Sequence, residues 1–111
     1  LVLACGCAAD CTAVDCVAPI TIRWTESDLP GVDRAQVCVN DACNDVAVIP
    51  LAGGGMVWAS GGGREVRVRL VATSKDGSVV ADVSGQGRKT KTSCCESVMF
   101  DVRGDALAVS P

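Results

Sequence analysis

The sequence predicts an all-β domain: an antiparallel two-sheet sandwich of immunoglobulin-like type, with seven or eight strands and stapled by disulfides. Three observations predict it. Segments with apolar residues at every second position recur about every 8–12 residues, and none keeps a helical period over three turns. Apolar residues make up 49% of the chain and aromatics only 3%, so the core must be assembled from Val, Ala, Leu and Ile in many small contacts, a composition that favours strands. Eight cysteines among 111 residues, with no histidine, form the even, dense set of an oxidised exported domain rather than reduced cytosolic thiols.

Residues 1–16 read as a cysteine-rich lead-in with too few bulky apolar residues to be a domain, and 17–111 as the sandwich. In ITIRW (20–24), Ile20, Ile22 and Trp24 alternate with Thr21 and Arg23, the pattern of a half-buried strand. TESDLPGVDR supplies a turn around Pro30-Gly31, and AQVCVN and ACNDVAVI follow as the second and third strands. MVWAS (56–60), between two glycine triplets, reads as a short edge strand, because glycine costs backbone entropy inside a strand. REVRVRLVAT (64–73) directs Val66, Val68, Leu70 and Ala72 one way and Arg67 and Arg69 the other. SKDGS turns it into VVADVS. SVMFDV (97–102) faces Val98, Phe100 and Val102 inward, and Arg103-Gly104-Asp105 turns it into ALAVS.

The stretch AQVCVNDACNDV can be read in register. Asn40 and Asp41 both tolerate the left-handed backbone of a two-residue hairpin turn. With them at its centre, Val39 faces Ala42, Cys38 faces Cys43, Val37 faces Asn44, Gln36 faces Asp45 and Ala35 faces Val46. Cys38 and Cys43 then occupy the closer, non-hydrogen-bonded pair, with Cα atoms about 4.5 Å apart, at the short end of the disulfide range. Both point to solvent with Gln36 and Asp45, while Ala35, Val37, Val39 and Val46 point inward. A bridge here contributes about 2 kcal/mol by loop entropy and pins the register. It lacks the Cys-x-x-Cys spacing and helix N-terminus of a redox couple.

Cys94 and Cys95 are adjacent, and a bond between them would strain the intervening peptide, so pairing with Cys11 or Cys16 would tie the lead-in to the body. The alternative is a thiolate cluster of Cys5, Cys7, Cys11, Cys16, Cys94 and Cys95 for zinc or copper(I), since CGCAADC resembles metallothionein-like runs. LVLACGC resembles the end of a bacterial lipoprotein signal and makes Cys5 or Cys7 a candidate for lipid attachment. An apolar first strand or an exposed tail accounts for the same residues. No apolar run approaches the roughly 20 residues of a membrane span, so a membrane would be reached only through an anchor.

A net charge of −3 offers no basic face for nucleic acid. Arg88, Lys89 and Lys91, the one basic run, are the candidate contact for an anionic polymer; a charged edge that resists aggregation is the alternative. Serine and cysteine have no histidine to activate them, nucleophile motifs and phosphate loops are missing, and the aspartates sit mostly at expected turns or solvent faces. These readings imply neither catalytic residues nor a cofactor. Arg103-Gly104-Asp105 matches an adhesion tripeptide and also suits a tight turn.

Taken together, Cys11-x4-Cys16, ITIRW, DLPG, AQVCVNDAC, the glycine-rich gap, REVRVRLVATSKDGSVVA, a close cysteine pair and FDVRGDALAV are similar to small exported or lipoprotein-like domains of actinobacteria, a largely uncharacterised group. The resemblance spans roughly residues 11–110 and implies an immunoglobulin-like sandwich outside the cytoplasm, with no catalytic residues carried over. The expected function is that of a non-enzymatic secreted or envelope-anchored domain that contacts a protein or polymer at the cell surface.

Overall fold

The structure, a computed structural model of the chain, describes residues 19–92 and 95–110. Among the described residues there are ten strands and no helix. In chain order they are β1 (Ile20–Thr25), β2 (Arg34–Val39), β3 (Ala42–Val46), β4 (Ile49–Leu51), β5 (Gly54–Ala59), β6 (Glu65–Thr73), β7 (Val79–Arg88), β8 (Thr90–Thr92), β9 (Cys95–Arg103) and β10 (Ala106–Val109). They form two sheets: a six-stranded one in the order β10-β9-β1-β5-β4, with β8 pairing β9, and a four-stranded one in the order β3-β2-β6-β7. The inward sides of both supply the core. Ile20, Ile22, Val57, Val98 and Phe100 come from the first, and Val37, Val68, Leu70 and Val83 from the second.

The strand count exceeds the expected seven or eight for two reasons. The segment ACNDVAVI is not one strand: β3 ends at Val46, and the chain passes through Ala47 and Val48 into β4, which belongs to the opposite sheet. The segment GQGRKTKT extends β7 to Arg88 and then starts β8 in the six-stranded sheet. The pairing is also not wholly antiparallel. β1 runs parallel to β9, with Ile20 opposite Val98 and Ile22 opposite Phe100. Most of the described chain separates these two strands, far more than the roughly dozen residues that a parallel connection requires.

β5 is an interior strand between β1 and β4, not an edge, and it takes Gly54 and Gly55 into its pairing. A side chain at Gly54 would overlap the Trp24 carbonyl oxygen, and at Gly55 a Cβ would lie 2.8 Å from the Trp24 ring. Here the missing side chains give β1 and its tryptophan the room to lie against β5. β6 follows the expected alternation, with Val66, Val68, Leu70 and Ala72 buried and Arg67 and Arg69 exposed.

The β6–β7 turn is held by Asp76. Gly77 takes φ +88°, the Ser74 amide donates to the Ser78 carbonyl at 2.9 Å, and Asp76 Oδ1 accepts from the Ser78 amide at 2.8 Å and from the Ser74 hydroxyl. The Ser74 hydroxyl, then Ser78, favour the charged carboxylate and lower its pKa from 3.8 to about 2. A group depressed in this way stabilises the fold above its unfolded value, and that contribution disappears as pH falls through about 2. A carboxyl NMR titration of Asp76 is expected to show its midpoint near 2, moving upward in Ser74→Ala. A wild-type midpoint at or above 3.8 would contradict this turn geometry.

Candidate functional site: the outer face of the four-stranded sheet

The β2–β3 hairpin has the expected register, from Val39 opposite Ala42 through Cys38 opposite Cys43 to Ala35 opposite Val46. Asn40 and Asp41 have φ of +48° and +75°, so both central residues take the left-handed backbone of a type I′ turn. The tip is tied to β6: the Asn40 amide donates to the Arg67 carbonyl at 2.9 Å, and the Arg67 amide donates to Asn40 Oδ1 at 2.8 Å. Cys38 and Cys43 are joined, with Cα atoms 3.9 Å apart.

One part of the expected exposure is corrected. Cys43 is open to solvent, but Cys38, although on the outward face, keeps only 6% of its accessible surface. The registers of three strand pairs explain why. Across the sheet they set Cys43, Cys38, Arg69 and Ser84 in one row, so Cys38 lies between its bonded partner and a long side chain. A depression of about 540 Å³ opens over this row, with Asp41, Arg67 and Gln86 also on its walls.

Each of its two arginines has an acid. Arg69 donates to both carboxylate oxygens of Asp82, at 2.7 and 2.6 Å, and Arg67 reaches Asp41 at 3.4 Å. The Arg69 hydrogen bonds hold the Asp82 carboxyl below its usual range, and the same bonds raise the Arg69 guanidinium. The local charge is therefore balanced. The chemically distinctive group on this face is the disulfide, with one sulfur-bearing residue covered and the other open.

The basic run does not form one contact surface. Arg88 and Lys91 are exposed, but Lys89 is buried: its amide donates to the Arg64 carbonyl at 2.7 Å, and its ammonium reaches the Gly61 carbonyl at 2.9 Å. It sits between β7 and β8, where the chain changes sheets, and its side chain clamps the glycine-rich loop before β6. Arg103-Gly104-Asp105 forms the exposed β9–β10 turn, with Gly104 at φ +64° and Arg103 3.9 Å from Asp101. Cys5, Cys7, Cys11, Cys16 and Cys94 lie outside the described residues, as does the Cys95 side chain, and with them the expected inter-segment pairs and lipid attachment. Among the described residues, no group of three or more cysteines, aspartates or glutamates is placed to hold a metal ion.

The sequence reading missed the outer face of the six-stranded sheet. Trp58, Thr21 and Met99 form one cross-strand row there, with Trp58 45% and Met99 37% exposed. Met56 and Ile49, both half-buried, are opposite one another beside it. The signal was Met99 itself, an apolar residue at the outward position between Val98 and Phe100. Compared with known proteins, the chain matches no family model, no curated protein and no solved structure.

Proposed function

We propose that the protein is a non-enzymatic, immunoglobulin-like sandwich module of the extracytoplasmic space, secreted or anchored at the cell envelope, that works by contacting a protein at the cell surface. The observation that carries this reading is the Trp58–Thr21–Met99 row with Met56 and Ile49 beside it. Exposed apolar side chains grouped on one sheet face are characteristic of association surfaces, and Trp and Met are enriched at the centres of protein interfaces. A row of Trp, Thr and Met suits a protein better than a charged polymer. The Cys38–Cys43 bond supports an oxidising compartment.

The test is co-sedimentation of the purified protein with envelopes of the cell that produces it, comparing wild type with Trp58→Gln/Met99→Gln. Binding is expected to fall at least tenfold, with the thermal unfolding midpoint held within a few degrees. Equal binding by the double variant removes this face as the contact.

A further inference from the structure

We propose that Cys38–Cys43 is a thiol–disulfide exchange site with a fixed polarity: an incoming thiolate attacks Cys43 Sγ, and Cys38 leaves as the thiolate. The co-reactant is a thiol, either a small molecule or a protein cysteine. In the first step a bond forms between the incoming sulfur and Cys43 Sγ, the Cys38–Cys43 bond breaks, and its electron pair stays on Cys38 Sγ. A second thiolate then attacks the incoming sulfur and releases Cys43 as a thiolate. The protein disulfide gains two electrons, and two thiols become one disulfide.

Three observations set the polarity. Cys43 is exposed and Cys38 is 6% exposed, so the two ends differ in access. Displacement at sulfur comes from the side away from the leaving sulfur. The bridge runs from β2 to β3, and among the described residues β3 is the edge of its sheet, so no described strand crosses the approach to Cys43. The corresponding approach to Cys38 comes from the β6 side, through the depression that Arg67 and Arg69 wall, where Arg69 is its cross-strand partner. Arg69 also lines the depression over the disulfide, and although Asp82 offsets part of its charge, a guanidinium on the wall facing a departing thiolate favours its release.

Exchange would have a structural consequence. From Ala42 to Asp45, β3 is exposed, Val46 is only half-buried, and among the described residues β3 pairs with β2 alone. Little apolar burial holds it, so opening the bond would loosen the strand without disturbing the core.

The folded wild-type protein is incubated with glutathione, quenched early in acid, and mapped by tandem mass spectrometry. Glutathione is expected on Cys43 with Cys38 free, by tenfold or more over the reverse. Equal labelling, labelling of Cys38, or no adduct until denaturant is added overturns the proposal. Two variants separate charge from loosened packing. Arg69→Gln is expected to slow exchange roughly threefold, because the leaving thiolate loses its cation, and Asp82→Asn, which frees the guanidinium, to speed it. Both substitutions break the same ion pair, so a purely structural effect would move both rates the same way, and that result overturns the role of Arg69. Hydrogen exchange supplies a last readout: after reduction the β3 amides should exchange at least tenfold faster and those of β6 should not change. Joint acceleration of both would show global unfolding and overturn a local clasp.

Discussion

Truncating Phe100 to alanine is expected to cost about 3–5 kcal/mol, a large part of the roughly 5–15 kcal/mol that holds a domain of this size together. Phe100 is the one phenylalanine in the chain and the largest of its fully buried side chains. It stands on β9, opposite Ile22 of β1 on one side and Val109 of β10 on the other. Its ring crosses the sandwich to the four-stranded sheet, where a Cβ added to Gly87 would lie 2.9 Å from the ring tip. The neighbours are mainly valine, leucine and isoleucine, whose short side chains cannot reach in to refill the space, so the cavity adds to the lost transfer energy. The melting temperature should fall by about 15–30 °C, while Phe100→Leu, which keeps most of the volume, should cost under about 1.5 kcal/mol. Denaturant unfolding checks both; a loss below about 1 kcal/mol for the alanine would mean that the ring does not carry the core.

What could be read in the sequence was local. The β2–β3 hairpin came out pair by pair because its turn residues, its alternation and its two cysteines independently demand the same register. β6 was legible for a similar reason: four buried positions at period two leave no other face assignment. The misreadings involve partners far away in the chain. Gly54 and Gly55 looked like breaks because a sequence shows a missing side chain but not the Trp24 carbonyl and ring that fill its place. Lys89 looked solvated because nothing near it announces the Gly61 carbonyl that its ammonium reaches. Cys38 was correctly placed on the outward face, yet its place on an interior strand, between Cys43 on β3 and Arg69 on β6, makes outward differ from exposed. The parallel β1–β9 pair joins residues from opposite ends of the described chain, where strand patterns carry no information about neighbours. For the same reason the Trp58–Thr21–Met99 row and the Cys43–Cys38–Arg69–Ser84 row emerged only when registers could be followed across strands.

The same dependence on distant partners makes Gly85→Ala the second substitution with a large expected effect, about 3 kcal/mol of destabilisation from a single added methyl group. Gly85 lies in the middle of β7, where a glycine would ordinarily weaken a strand. Its use becomes plain on the facing strand: an added Cβ would overlap the Leu107 carbonyl oxygen and lie 2.8 Å from the Leu107 Cβ. Both obstacles are fixed to the β10 main chain, so no rotamer change relieves them. Either β10 moves away from β7, opening that side of the sandwich, or β9–β10 pairing is lost at Leu107 and Val102. Two neighbouring substitutions calibrate the argument. At Gly87 the added atom meets only side chains, Val109 and Phe100, which can shift, so Gly87→Ala should cost less. At Gly77 it meets nothing, but φ is +88°, so Gly77→Ala should show backbone strain alone, about 1 kcal/mol. The expected order of destabilisation is therefore Gly85 first, then Gly87, then Gly77. Finding Gly85→Ala no worse than Gly77→Ala in urea unfolding would mean that β7 and β10 do not make this close approach in solution.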